Sequence, residues 1–138
     1  MAQSQVDTPG RPRLLLVEDE LILARVLEIV FIDAGYDVTT CFDGAVALEA
    51  FDGSPETWDV VLSDVAMPRL GGDELARTLR ERRPRLPIVL MTGNTMVVQP
   101  RELLSLGVTA VVEKPCAMDV LLEAVNAACE RPRVWGDD

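Results

Sequence analysis

Residues 58–72 read WDVVLSDVAMPRLGG, from Trp58 to Gly72. Val60, Val61 and Leu62 form an uninterrupted apolar run rich in β-branched side chains. A run without polar alternation predicts a strand covered on both faces, as in a parallel sheet flanked by helices. It ends in Ser63 and Asp64, so a carboxylate stands where a buried strand leaves the core. In open α/β sheets, ligands bind outside the carboxyl ends of the strands. Met67-Pro68 stops the strand, and Gly71-Gly72 frees the backbone ahead of a helix. Taken alone, Asp64 reads equally as a strand-end residue in an Asx-turn. Three other strand ends separate the two readings.

Leu14–Val17 (LLLV) is a second buried strand and runs into Glu18-Asp19-Glu20. A nucleotide-binding domain would place a glycine-rich loop here, with backbone N–H groups for phosphate. Three carboxylates instead favour a cation first, and phosphate only through it. Carboxylate oxygens suit hard ions such as Mg²⁺, which keeps waters and uses one or two carboxylates. Glu20 by itself reads as an acid at a helix N-terminus, where it favours the dipole. Pro87–Met91 (PIVLM) delivers Thr92-Gly93-Asn94, placing a hydroxyl at a third strand end and a glycine that permits close approach. Val108–Val112 delivers Glu113-Lys114-Pro115. Lys114 is the only lysine beside twelve arginines. Lysine is a compact point charge that the planar fork of arginine does not replace at a tight phosphoryl site. The Lys114–Pro115 bond is a candidate for the cis form.

Helical spacing assigns the connecting segments. Leu21–Ala34 is a helix ended by Gly35, with Leu23, Val26, Leu27, Val30 and Ala34 as its core stripe. Arg25 and Glu28 fall on the solvent side, together with Leu21 and Ile32. That apolar pair beside the acids suits a partner helix, and it also lies within the ordinary apolar background of protein surfaces. Tyr36–Thr40 alternates as a strand, and Gly44–Phe51 is a second helix with Val46, Leu48 and Ala50. Asp73 is placed to cap a helix over 74–82 whose core face is Leu75, Ala76 and Leu79. Arginines gather at its end, where cations suit the helix dipole. Pro100 opens a short helix closed by Gly107, and a last helix covers Asp119–Glu130.

Composition narrows the function. The 138 residues are 49% hydrophobic and 26% charged, which suits one globular domain. That domain is expected over 13–130, between loose tails at 1–12 and 131–138. A net charge of −10 argues against a nucleic-acid partner held by phosphate contacts. Cys41, Cys116 and Cys129 form neither a CxxC pair nor a disulfide framework, which suits a reducing cytosol. The absence of histidine removes Ser-His and Cys-His nucleophile pairs, the usual zinc sites and any phosphohistidine of the chain's own. No run reaches membrane length and no signal-peptide core is present, so no membrane association and a cytoplasmic location are expected.

Five strands alternating with five helices, under the right-handed crossover rule, give an α/β fold. It is a doubly wound five-stranded parallel sheet with all strand ends on one rim. That rim receives Glu18, Asp19, Asp64, Thr92 and Lys114. Acids with a divalent cation, and a lysine opposite, suit in-line phosphoryl transfer to a carboxylate.

LLLVEDE, VVLSDVAMP, LMTGN and VEKP, in this order and spacing, resemble the receiver domain of two-component response regulators. The likeness runs from about Arg13 to Glu130, and the four-part combination is specific where each part alone is weak. It implies the flavodoxin-like (βα)5 fold with strand order 2-1-3-4-5. It implies that Asp64 is the phosphoacceptor, charged from a phosphohistidine on a histidine kinase or histidine phosphotransfer protein. It implies that Glu18, Asp19, Asp64 and the backbone carbonyl of Ala66 hold Mg²⁺, that Thr92 is the switch hydroxyl, and that Lys114 pairs with the phosphoryl group. One position departs from the pattern. Many receivers carry Tyr or Phe three residues before that lysine, and here Val111 stands there. The switch is therefore expected to rely on Thr92 and the Met96–Val98 segment.

Rival readings are distinguishable. An aspartate-nucleophile phosphatase usually has a second aspartate two residues on, where this chain has Ala66, so turnover on external substrates is not expected beyond self-phosphorylation and dephosphorylation. A degenerate receiver that only binds partners would lack a site residue, and a flavin-binding domain would place its phosphate against the acidic first loop. Met1 and the short tails read as a stand-alone regulator, monomeric or weakly dimeric, signalling through protein contact. The LPIVLMTGN and MPRLGGDELARTLR stretches look most like receivers attached to hybrid histidine kinases.

Overall fold

The computed structural model describes residues 3–5, 10–93 and 98–129. Six strands, β1 (Gln3–Gln5), β2 (Arg13–Val17), β3 (Asp37–Cys41), β4 (Val60–Asp64), β5 (Ile88–Thr92) and β6 (Ala110–Glu113), form one sheet in the order β1-β3-β2-β4-β5-β6. Strands β2 to β6 pair in parallel. Counted among themselves they have the expected order 2-1-3-4-5. Five α-helices connect and flank them: α1 (Leu21–Asp33), α2 (Gly44–Gly53), α3 (Gly72–Arg82), α4 (Pro100–Leu104) and α5 (Met118–Ala128).

The continuous apolar strands are explained by two cores. Leu14 and Leu16 of β2 face α1 and α5, packing with Leu27, Phe31, Leu121 and Val125. Leu15 and Val17 face the other way, toward Ala47, Phe51, Leu75 and Leu79 of α2 and α3. With helices on both faces there is no solvent side to demand polar alternation. Strand ends are then free to carry polar groups, and all five parallel strands end on the same rim.

Several expectations are corrected. Helix α1 turns a different face inward: Ala24, Leu27, Glu28 and Phe31 are buried, Val26 is exposed, and Ile32 packs partly against the core. Glu28 goes in because β3 supplies a polar partner beneath it. Thr40 Oγ1 donates to its carboxylate at 2.9 Å, and Arg25 Nη1 reaches it from the surface at 2.5 Å. The outer face of α1 then shows Leu21, Ile22, Val26 and Ile29, at 65%, 80%, 42% and 61% exposure. Strand β3 is buried throughout although its sequence alternates; Asp37 and Thr39 lie beside the Arg13 guanidinium. Within the segment expected as a loose tail, Gln3–Gln5 pairs antiparallel with Cys41–Thr39 and extends the sheet. Gly71, not Asp73, is the N-cap of α3, and Asp73 lies in its first turn. Gly35 and Gly107 do close their segments at φ +104° and +89°, and Lys114–Pro115 is cis.

Candidate functional site

Each group of the site is delivered by a strand end. Ser63 and Asp64 finish β4, and Glu18 and Asp19 follow β2 directly. The Glu18 N–H donates to the Cys41 carbonyl at 3.1 Å, which fixes the turn out of β2. One Glu18 oxygen accepts the Glu20 N–H at 3.1 Å. The three acids Glu18, Asp19 and Asp64 each bring a carboxylate oxygen within 4.8 Å of the others. Lys114, just past β6, places Nζ 3.2 Å from Asp64 Oδ1 and 3.6 Å from Glu18 Oε1. Its backbone N–H donates to the Thr92 carbonyl at 2.8 Å, so β5 positions it.

The backbone behind Asp64 is closely packed. A Cβ on Gly72 would lie 2.1 Å from the Asp64 carbonyl oxygen, so only glycine lets α3 start against the end of β4. Val65 is tied at both ends of its peptide, donating to Met91 O and accepting from Gly72 N at 2.9 Å each. Ala66 is exposed beyond it. Thr92 is buried and is the residue after Met91, which pairs with Asp64 in the sheet register. A Cβ on Gly93 would meet the Lys114 side chain at 3.8 Å, an ordinary contact, so no tight approach fixes glycine there. Asn94, Met96 and Val97 lie outside the described residues. Val98 packs partly against the core on the α2–α3 side.

The electrostatics of the cluster are unbalanced. Burial pushes the Glu18 carboxyl up to about 7 from an ordinary 4.5, against the opposing hydrogen bond from the Glu20 backbone. Burial also raises Asp64, with Lys114 resisting. For Lys114, burial alone would favour the neutral amine, but Glu18 and Asp64 outweigh it and the net change is upward. Glu18 Oε1 is buried and has no hydrogen-bond partner. A buried carboxylate oxygen in that condition is costly. A hard divalent cation is the ligand that such all-oxygen donors fit. The cluster is thus capable of coordinating a divalent metal.

Glu18, Asp19, Asp64 and Lys114, which sequence reasoning put on one rim, come together there, and Thr92 ends the neighbouring strand β5. Sequence reasoning missed Cys41, whose carbonyl supports Glu18, and the pair between Arg69 Nη2 and Asp43 Oδ2 at 3.4 Å. A backbone acceptor leaves no trace in residue type. The pair joins two loops 26 positions apart, with no periodicity to link them.

A parallel sheet in the order 2-1-3-4-5 with an acidic rim and one opposing lysine is the architecture of a phospho-signalling receiver. Residues 14–126 match the family model for the response regulator receiver domain, and the chain belongs to that family. It is 33% identical over 120 residues to the sensor histidine kinase RcsC of Salmonella typhimurium, covering 87% of this chain and 12% of the kinase. It is 34% identical over 124 residues to the sensor protein EvgS of Escherichia coli, covering 87% and 10%. The uncharacterized transcriptional regulatory protein YkoG of Bacillus subtilis is 34% identical over 115 residues, covering 83% and 50%. The chain therefore spans between about a tenth and a half of these relatives. Among solved structures, the chemotaxis protein CheY4 of Vibrio cholerae superposes with a TM-score of 0.77 at 28% identity, over 86% of this chain and 98% of that one. A receiver domain protein from Clostridium thermocellum shares the fold, with a TM-score of 0.80 at 23% identity over 85% and 93%. Among the described residues, no helix is long and apolar enough to cross a membrane.

Proposed function

We propose that this chain is a phosphoryl-accepting receiver in which Asp64 takes a phosphoryl group from the phosphohistidine of a histidine kinase or histidine phosphotransfer protein. The Asp64 carboxylate forms the new P–O bond, the donor's P–N bond breaks, and the imidazole leaves with its electron pair. Glu18, Asp19, Asp64 and the Ala66 carbonyl hold Mg²⁺. When bound, the ion supplies neutralising charge for the phosphoryl oxygens. Lys114 withdraws negative charge from the same oxygens, and the Thr92 hydroxyl donates to them. The observation that carries this reading is the Lys114 ammonium 3.2 Å from Asp64, on the rim where three carboxylates converge.

The output is protein contact by the receiver domain over 13–130, monomeric or weakly dimeric, in the cytoplasm. Ala66 supplies no second acid for turnover on external substrates. The apolar outer face of α1 starts directly after the acidic turn, so we assign it to docking of the phosphodonor. The sensor kinases among the relatives favour a kinase or relay partner, and a receiver within a hybrid kinase is the second reading.

Intact-mass analysis after treatment with acetyl phosphate, with and without MgCl₂, tests the proposal. Wild type is expected to gain one phosphoryl group only with Mg²⁺, and Asp64→Asn none. Equal modification of the Asn variant would remove Asp64 from its role.

A further inference from the structure

The loop after Asp64 holds a shape that its sequence does not favour. Leu70 N–H donates to the Pro68 carbonyl at 2.8 Å, closing a γ-turn around Arg69, whose φ is +68°. Among the described residues, Arg69 is the one non-glycine residue with positive φ. An L side chain there strains the backbone, and glycine would avoid it.

The arginine has a fixed counter-charge. Its Nη2 lies 3.4 Å from Asp43 Oδ2. Asp43 is itself anchored, because its Oδ1 accepts the Val46 N–H at 2.8 Å and caps α2. Gly44, the next residue, is pressed on the same loop: a Cβ there would lie 2.4 Å from the Leu70 carbonyl oxygen. Two residues before Asp43, the Cys41 carbonyl holds the Glu18 N–H. The junction between β3 and α2 therefore touches both halves of the acidic cluster, Glu18 through Cys41 and the Asp64 loop through Asp43 and Gly44.

We infer that the Asp43–Arg69 pair is a positioning clamp, which holds the strained loop over 65–71 in the turn that presents the Ala66 carbonyl to the metal. This rests on the metal reading above. Neither residue is assigned as a ligand; both act through the loop. The sign of the effect separates the clamp from plain electrostatics. Arg69 is a cation on the rim of a cation site, so by Coulomb repulsion alone its removal tightens Mg²⁺ binding. If it positions the loop, its removal weakens binding.

The test is a calorimetric titration of the metal-free full chain with MgCl₂, for wild type, Arg69→Gln, Arg69→Lys, Asp43→Asn and the Arg69→Gln/Asp43→Asn double variant. Asparagine keeps the cap on α2. Thermal melting of each variant checks that the fold is retained. An exposed ion pair sets the scale at about a threefold loss of affinity for each neutralising single variant. The double variant is expected to be no weaker than either single, and Arg69→Lys to stay near wild type. Binding by Arg69→Gln as tight as wild type or tighter overturns the clamp, as does a double variant whose loss equals the product of the two singles. Failure of the wild-type chain to bind Mg²⁺ overturns the metal reading and the clamp with it, whereas normal wild-type binding with unaltered variants overturns the clamp alone.

Discussion

Glu18→Gln is expected to stabilise the metal-free protein, although it removes a group of the site. Glu18 is 1% exposed, with one oxygen lacking any hydrogen-bond partner. Its carboxyl, raised from 4.5 to about 7, binds a proton more tightly in the folded than in the unfolded chain. The protonated form is therefore the comfortable one, and the cost appears on ionisation. Below about pH 4.5 the residue is neutral in both states and there is no penalty. As pH rises from 4.5 through 7 the unfolded chain ionises first and stability falls, reaching a plateau loss of about 3 kcal/mol above pH 7. Glutamine stays neutral and escapes this loss. Chemical denaturation in EDTA should show Glu18→Gln more stable than wild type by about 3 kcal/mol at pH 8, and nearly equal at pH 4. In a domain of this size the pH 8 gap corresponds to a melting point about 10 °C higher. Added MgCl₂ should raise wild type more than the variant, since a ligand that binds only the folded chain stabilises it. A variant less stable than wild type at pH 8 without metal, or a gap that does not shrink on acidification, would refute the reasoning.

Other consequences follow from the same geometry. Gly72→Ala must open a 2.1 Å contact with the Asp64 carbonyl oxygen, so a loss of roughly 2–3 kcal/mol is expected in a denaturant titration, and a change within 0.5 kcal/mol would contradict the packing. Ile22→Glu and Val26→Glu, on the exposed face of α1, should slow phosphoryl transfer from the cognate donor at least tenfold while leaving acetyl phosphate labelling unchanged. Equal slowing with both donors would place the defect in the site instead. Phosphorylated Thr92→Ala is expected to lose the gain in partner affinity that phosphorylation gives wild type; equal affinity of the two phosphorylated proteins in a binding titration would remove Thr92 from the switch.

The parts of this fold that were readable from sequence are those where one residue type has one use. An apolar run with no polar alternation has to be covered on both faces, so β2, β4 and β5 and their parallel arrangement could be inferred, whereas the strand order came from the family resemblance. Carboxylates and a hydroxyl stand at the ends of those runs, the only lysine stands just past β6, and the crossover rule brings them to one rim. The face of α1 was misread because periodicity assumes that charge points outward. Glu28 points inward, and the reason is Thr40 on a different strand. The alternation along β3 gave no sign of its full burial for a related cause: Arg13 from the neighbouring strand lies against Asp37 and Thr39. The pairing of Gln3–Gln5 depends on an edge being free, which no local pattern announces. In each case the missing fact is a partner distant in sequence.

Charge arithmetic links the awkward electrostatics to the proposed chemistry. Three ionised acids and one lysine leave the cluster with two net negative charges, the amount that one divalent cation cancels. Without that cation, folding buries the acids and, to a lesser degree, sets them against one another, which is why Glu18 and Asp64 both hold protons more tightly than usual. Such a rim repels phosphate and cannot accept it unaided. In the proposed reaction, once the charge is cancelled, Asp64 presents a free oxygen while Lys114 faces the incoming group from a strand end on the same rim. An arginine in that position would bring a planar fork broader than the ammonium. A point charge suits a place where Nζ stands between two carboxylates, 3.2 and 3.6 Å away. The energetic penalty of the metal-free cluster and its proposed capacity to take a dianionic group therefore have the same origin: negative charge gathered at one rim of the sheet.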